Sequence, residues 1–125
     1  MPRFEWTSGA RYGKLAFDEA ELAAIREACA AMAEREYARM DDAAREGLET
    51  FTAQAQKVRD YEVAGDIASM FKAGQEVLIE AEDIEPLRDS LRAYCEEATG
   101  ERLEAARSAL RKIEEACQEQ SPPEN

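Results

Sequence analysis

The chain has 125 residues, of which 45% are hydrophobic and 35% charged, and 28 acidic against 16 basic side chains give a formal net charge of −12. This length fits one domain with a hydrophobic core, and the hydrophobic fraction is too high for a disordered acidic tail. The charge argues against binding nucleic acid through the whole surface, because such binding needs many Lys and Arg side chains to displace counterions from phosphates.

The N-terminus and the hydropathy pattern predict a cytoplasmic protein. Residues 1–6 lack the basic start and apolar run of a secretory signal. No stretch approaches the roughly 20 apolar residues of a membrane span. Cys29, Cys95 and Cys117 are irregularly spaced and include no Cys-x-x-Cys pair, which fits neither a disulfide framework nor a zinc site. Each lies on the apolar stripe of a predicted helix, where a thiol behaves as a small hydrophobic group.

Residues 1–17 form a predicted aromatic arm. They hold four of the nine aromatic residues and carry a charge of +2. The alternation of Phe4 and Trp6, the turn signal at residues 8–9 and a second apolar run at residues 15–17 predict a short hairpin or an extended segment that packs on the rest of the chain. We expect these aromatic side chains to cap one end of the core. The alternative is an exposed patch of Trp6 and Tyr12 that contacts a partner.

Five amphipathic helices are predicted between residues 18 and 120. Asp18 and Glu21 form a capping box that begins the first helix, which runs to about Met40. The second covers residues 42–61, and the sequence leaves open whether the two are continuous. Gly65 ends the second helix, and the third follows from Asp66 with an apolar stripe through residues 67–81. Pro86 is expected at the first position of the fourth helix, and residues 99–100 separate it from the fifth.

This pattern predicts an all-α fold, a compact bundle of four to five amphipathic helices with a short extended or hairpin-like aromatic N-terminal arm. Its domains are the arm at residues 1–17, the bundle at residues 18–120 and a disordered polar tail at residues 121–125. The many alanines favour close packing of antiparallel helices. Gly74 lies on the stripe of the third helix, which predicts that a neighbouring helix approaches closely there.

The motifs of common enzymes are missing from the sequence. With no histidine, the chain lacks the most frequent general base and metal ligand. Residues 9–15 resemble a phosphate-binding loop but have the wrong glycine spacing and no Ser or Thr after Lys14. The acidic residues around Pro86 lack the spacing of a calcium loop. We therefore expect a non-enzymatic protein without a metal or cofactor.

More than half of the net charge lies in residues 76–101, which contain nine carboxylates and only two arginines. Glu76, Glu80 and Asp83 are spaced i, i+4 and i+7, which predicts one outward row on the third helix. Such a row either keeps the protein soluble or attracts a basic partner. The residues predicted to contact a partner are Glu76, Glu80, Glu82, Asp83, Glu85, Asp89, Glu96, Glu97, Trp6 and Tyr12.

The leading hypothesis is a small acidic protein that binds a basic surface of another protein, most concretely an inhibitor that occupies a nucleic-acid-binding groove. In size and composition the chain resembles the small acidic proteins by which phages and mobile elements block restriction or CRISPR enzymes, a resemblance of class that rests on no motif. Under this hypothesis we expect the protein to bind neither nucleic acid directly nor a membrane. The alternative is an assembly subunit that forms homodimers or larger oligomers through its helical faces, with the charge serving solubility.

Overall fold

Five helices and two short strands make up the described chain. The structure is a computed structural model that describes the backbone of residues 11–120 and the side chains of residues 15–79 and 82–117. In chain order the elements are β1 (Arg11–Leu15), α1 (Glu19–Tyr37), α2 (Met40–Glu46), α3 (Leu48–Ser69), β2 (Val77–Glu80), α4 (Ala81–Glu97) and α5 (Gly100–Gln120). The fold is the predicted all-α bundle, formed by four long helices and the single short helix α2.

The capping box at the start of α1 confirms the predicted helix start. The Glu21 amide donates to Asp18 Oδ1 at 2.7 Å, and the Asp18 amide donates to Glu21 Oε1 at 2.8 Å. The two carboxylates thus satisfy amides that the first helical turn leaves without backbone partners. The preceding Phe17 and the following Leu22 are both buried in the core.

The chain between α1 and α3 is broken twice, which answers the question of continuity that the sequence leaves open. α1 ends at Tyr37, and the short α2 follows after a turn at residues 38–39. Gly47 then separates α2 from α3 with φ of +129° and ψ of 170°. Because residues with a Cβ rarely adopt this backbone conformation, glycine is required for the sharp change of direction.

α1 is the central helix of the bundle. It contacts α3, α4 and α5, and α4 also packs against both α3 and α5. The core between these helices is built largely from small and branched side chains. Its members include Leu22, Ala24, Ile25, Ala28, Cys29, Ala64, Ala68, Ile84, Leu87, Leu91, Ala106, Ala109 and Ile113.

The close helix approach occurs at Gly65 and not at Gly74. A Cβ placed on Gly65 would lie 3.3 Å from the Cβ of Cys29, so the absence of a side chain lets α3 lie against α1. The prediction that Gly65 ends a helix was therefore wrong, since α3 continues to Ser69. Buried Ala64 and Ala68 extend the same contact, in agreement with the predicted role of alanine in close packing.

The predicted third helix does not exist as one element. α3 ends at Ser69, and residues 77–80 form β2, which pairs antiparallel with β1 through Arg11–Glu80, Lys14–Leu78 and Leu15–Val77. A bulge interrupts the pairing between Arg11 and Lys14. Gly74 lies in the intervening turn with φ of +79°, and its amide donates to the Phe17 carbonyl at 2.8 Å. This left-handed conformation lies in the turn after α3 has ended, and β1 supplies partners for the backbone of residues 77–80.

α4 begins at Ala81 and not at Pro86, so Pro86 lies inside the helix. Proline has no amide hydrogen, which leaves the carbonyl of Glu82, four residues earlier, without its usual helical donor. Glu82 is exposed, so water can reach this turn. The predicted break at residues 99–100 is confirmed, because α4 ends at Glu97 and α5 begins at Gly100, whose φ is +67°.

Some predictions fall outside the described residues. These are the hairpin turn at residues 8–9, the positions of Phe4 and Trp6, and the tail at residues 121–125. Within residues 11–120, no helix combines the length and the apolarity that a membrane span needs.

Candidate functional site: the outward face of α4

Four carboxylates lie on the outward face of α4: Glu82, Glu85, Asp89 and Glu96. All four are exposed, and at 100° per residue they fall within an arc of about 60° on the helix. The opposite face buries Ile84, Leu87 and Leu91 in the core, which fixes the rotation of α4. The row extends about 21 Å along the helix axis, from residue 82 to residue 96. We call these four residues the α4 row.

The α4 row replaces the row that the sequence predicts on a third helix. Glu76 lies in the loop before β2, Glu80 ends β2 and Asp83 lies in the first turn of α4. The predicted spacing of i, i+4 and i+7 therefore does not bring these three carboxylates onto one helical face. The prediction assumed a continuous helix from residue 66 onward, and the strand at residues 77–80 removes that premise.

The predicted contact residues are thus distributed over the β2–α4 region. Glu76 is exposed, and Asp83 is half-buried. Glu97 is exposed near the end of α4, to one side of the α4 row. Tyr12 belongs to β1, its side chain is outside the described set, and Trp6 lies outside the described residues. The structure therefore brings Glu82, Glu85, Asp89 and Glu96 onto one face and leaves the aromatic contribution undescribed.

Among the described residues, only Glu85 of the α4 row forms an ion pair within 4.0 Å, and Asp89 interacts electrostatically with Arg92. The side chain of Glu85 lies 3.9 Å from Arg88 Nη2, a long ion pair. Arg92 borders the row but donates to Glu114 on α5 at 2.7 Å, and this hydrogen bond raises the pKa of Arg92. Among the described residues, Glu82 and Glu96 form no ion pair within 4.0 Å.

Asp89 of the α4 row also interacts electrostatically with Tyr61 on α3. The side chain of Tyr61 on α3 is half-buried, and its pKa is raised first by burial and then by the negative charges of Asp89, Glu36 and Asp60. Glu36 is itself buried and accepts a hydrogen bond from Gln54 Nε2 at 3.0 Å. The charges of Asp89, Glu36 and Asp60 thus act on Tyr61 in the same direction, and Arg35 opposes them.

A second polar cluster, which the sequence analysis missed, lies between α1 and α5. Buried Glu21 accepts a hydrogen bond from Lys112 Nζ at 2.7 Å and another from the Ser108 hydroxyl, in addition to its bond from the Asp18 amide. Burial raises the pKa of Glu21, but the hydrogen bonds from Lys112, Ser108 and Asp18 outweigh it, so the pKa is lowered overall. Because both carboxylate oxygens are engaged, this cluster acts as a structural connection between helices.

The chemistry available to the α4 row is that of exposed carboxylates. They can accept hydrogen bonds from Arg and Lys side chains of a partner. No group of three or more potential metal ligands occurs among the described residues. The exposed row thus favours recognition of several positive charges spread over a surface.

Comparisons with known proteins return no relative: no family model, no curated protein and no solved structure matches this chain.

Proposed function

We propose that this protein is a non-enzymatic binding protein that contacts a basic surface of a partner protein through the α4 row. The observation that carries the proposal is the alignment of Glu82, Glu85, Asp89 and Glu96 on one exposed helical face with little local compensation. Like charges at these spacings destabilise a helix slightly, and contacts with a basic partner would offset that cost.

The most concrete form of the proposal is an inhibitor that occupies a nucleic-acid-binding groove. A groove that binds nucleic acid presents Lys and Arg side chains at intervals set by the phosphate backbone. A straight helix with carboxylates at several points over about 21 Å can meet such a groove along its length. Electrostatic attraction between the two surfaces would raise the association rate and make binding dependent on salt.

The test is charge reversal on the row. We expect the triple variant Glu85→Lys, Asp89→Lys and Glu96→Lys to weaken binding by at least about tenfold and to flatten its dependence on NaCl concentration. The partner is first isolated on the immobilised wild-type protein and identified by mass spectrometry, and its affinity is then measured by isothermal titration calorimetry between 50 and 500 mM NaCl.

A matched control carries the same change in net charge on other faces. Glu34, Glu62 and Glu104 are exposed and lie within α1, α3 and α5, so Glu34→Lys, Glu62→Lys and Glu104→Lys together should retain most of the affinity. Equal losses of affinity in both variants would mean that binding depends on the net charge of the protein and not on the α4 row. Wild-type affinity in the α4 variant would refute the proposal. For the inhibitor form, a DNA or RNA ligand of the isolated partner must compete with the wild-type protein.

The alternative function, an assembly subunit, is favoured by exposed apolar side chains near the α1–α2 and α2–α3 turns. Tyr37 is 66% exposed and Leu48 is 79% exposed, and such groups are common in subunit interfaces. If this alternative holds, the mass measured by multi-angle light scattering increases with protein concentration, and Leu48→Glu abolishes the increase. A monomer mass that does not change with protein concentration would argue against the assembly subunit and favour the proposed binding protein.

A further inference from the structure

A groove lies between the first half of α1 and the segment that joins α3 to β2. Its volume is about 470 Å³, within the size range of pockets that bind small molecules. Leu22, Ala23 and Phe71 supply apolar lining, and the charged side chains at its rim are Glu19, Arg26 and Lys72. None of its lining residues belongs to the acidic segment of residues 76–101.

The wall of the groove is held in place by contacts with the core. The Phe71 ring stacks on buried Phe17 with centroids 6.4 Å apart and an interplanar angle of 12°. The Gly74 amide donates to the Phe17 carbonyl at 2.8 Å, and the Gln75 amide donates to the Lys72 carbonyl at 3.1 Å. The turn that carries Lys72 is thereby fixed, so a ligand would meet a largely preformed surface.

Like five other cations of the described residues, the two cations at the rim have no carboxylate oxygen within 4.0 Å. Within the described residues, Arg26 and Lys72 form no ion pair. Arg26 Nη2 has a long hydrogen bond of 3.5 Å to the Phe71 carbonyl, which directs the guanidinium toward the groove wall. Six other cations are paired with carboxylates, namely Arg39, Arg45, Arg88, Arg92, Arg102 and Lys112.

We propose that this groove binds a small carboxylate with an apolar body, such as an aryl-substituted or branched-chain carboxylic acid. The carboxylate lies between Arg26 and Lys72, where a guanidinium and an ammonium both donate hydrogen bonds. The body rests on half-buried Ala23 and the half-buried Phe71 ring. The site shares no residue with the α4 row, so ligand binding in the groove can be tested separately from the proposed function.

Binding requires both the carboxylate and the apolar body of the ligand. Exposed ion pairs contribute little on their own, so a carboxylate without an apolar body, such as acetate, binds weakly. An apolar amide of the same shape leaves the two cations without an anionic partner. Glu19 at the rim disfavours ligands with further negative charge, which directs the site toward monocarboxylates.

The experiment is a titration of the ¹⁵N-labelled full-length protein with 3-phenylpropionate, followed by amide chemical shifts. We expect saturable shifts confined to the groove, at Ala23, Lys72 and Ala73. Acetate and 3-phenylpropionamide should bind at least about threefold more weakly. Arg26→Gln and Lys72→Gln should each weaken 3-phenylpropionate binding by roughly threefold to fivefold, and Ala23→Leu, which fills the floor, should abolish it.

The matched control is Lys57→Gln, which removes an exposed cation from α3 outside the groove and should leave the affinity unchanged. Far-UV circular dichroism verifies that each variant is folded, and the exposed positions of Arg26 and Lys72 make loss of folding at those sites improbable. The proposal is overturned by shifts that do not saturate, by equal binding of the amide, or by an equal loss of affinity in Lys57→Gln.

Discussion

Glu21 shows how one residue can serve both a helix and the tertiary fold. Its backbone and side chain complete the capping box with Asp18, and the same carboxylate accepts hydrogen bonds from Lys112 and Ser108 on α5. Lys112 also donates to the Ala16 carbonyl at 2.8 Å and lies 5.7 Å from the centroid of the Phe17 ring. A buried carboxylate is tolerated here because each oxygen has donors.

The lowered pKa of Glu21 predicts a loss of stability in acid. The pKa in the folded state lies below the ordinary value of 4.5. The ionised group therefore stabilises the fold above pH 4.5, and this contribution is lost as the pH falls through the folded-state pKa. We expect Glu21→Gln to lower the free energy of unfolding at pH 7 by about 1–3 kcal/mol and to flatten its decline below pH 5. Urea unfolding between pH 3 and 7 measures both.

Glu19→Gln is the control for this change, because Glu19 is an exposed carboxylate in the same helical turn. Glu19→Gln should lower the free energy of unfolding by only a few tenths of a kcal/mol, and the variant should keep the acid sensitivity of the wild type. If Glu21→Gln and the wild type decline in parallel below pH 5, the acid sensitivity originates elsewhere.

The cysteines agree with the role expected from sequence, most clearly at Cys29. It is buried against α3 at Gly65, and burial raises the pKa of its thiol to about 11. The thiolate is therefore scarce at neutral pH, and the thiol packs as a small hydrophobic group. Burial likewise raises the pKa of half-buried Cys95.

At the scale of elements, the contact between α1 and α3 depends on small side chains. Ala28 and Cys29 on α1 meet a face of α3 that carries Ala64, Gly65 and Ala68. Such surfaces bring helix axes close together, so there is little room for additional carbon atoms. The contact is consequently sensitive to added volume even though each side chain in it is small.

Ala64→Leu tests this packing. Ala64 is 1% exposed, so the larger side chain has to displace its packed neighbours in the core, and we expect a loss of about 1–3 kcal/mol in the free energy of unfolding. Ala53→Leu places the same side chain at an exposed position on the same helix and should change stability by less than about 0.5 kcal/mol. Guanidinium unfolding of the two variants compares them directly. Similar stability would show that the interface can relax around a leucine.

Some local signals in the sequence predicted element boundaries correctly, whereas Gly65 and Pro86 did not mark the boundaries expected of them. The non-local pairing escaped every local signal. The capping box of Asp18 and Glu21 and the break at residues 99–100 are local, and both were confirmed. Residues 77–80 fit a helical stripe, but they become a strand because β1, distant in sequence, supplies the hydrogen bonds. The row of Glu76, Glu80 and Asp83 predicted on a third helix was wrong for the same reason, and the α4 row was not predicted. Its charge was predictable from composition, but its rotation depends on which side chains of α4 are buried.

The paired cations also could not be distinguished from the unpaired ones by sequence alone. Arg102 pairs with Glu27 on α1, which also accepts a hydrogen bond from the Tyr94 hydroxyl at 2.6 Å. These partners come from three helices, so no spacing along the chain predicts them. Arg26 and Lys72 meet at the groove for a similar reason, since the turn around Gly74 brings Lys72 back toward α1.

For the whole molecule, the charge of −12 is a source of repulsion that the compact state concentrates. The ion pairs at the surface compensate it only locally, and the α4 row remains largely uncompensated. Screening by salt reduces repulsion more in the folded state than in the expanded unfolded chain. Stability should therefore depend on ionic strength.

We expect the free energy of unfolding to rise by about 1 kcal/mol between 20 and 500 mM NaCl at pH 7. The triple lysine variant of the α4 row should gain less from salt, because its net charge is −6 instead of −12. Urea unfolding at fixed pH, repeated with KCl to exclude a sodium-specific effect, provides the measurement. A fall in wild-type stability with salt would mean that attractive pairs outweigh repulsion.

The β1–β2 ribbon sets an order of events during synthesis on the ribosome. β1 is made before α1, whereas its partner β2 follows only after α1, α2 and α3. Until residues 77–80 emerge, the backbone donors and acceptors of β1 lack their native partner. The hydrogen bond from the Gly74 amide to the Phe17 carbonyl likewise cannot form before Gly74 has been made. β1 therefore cannot complete its pairing until β2 has been made, and translation arrested before β2 would leave an unpaired strand available for aggregation.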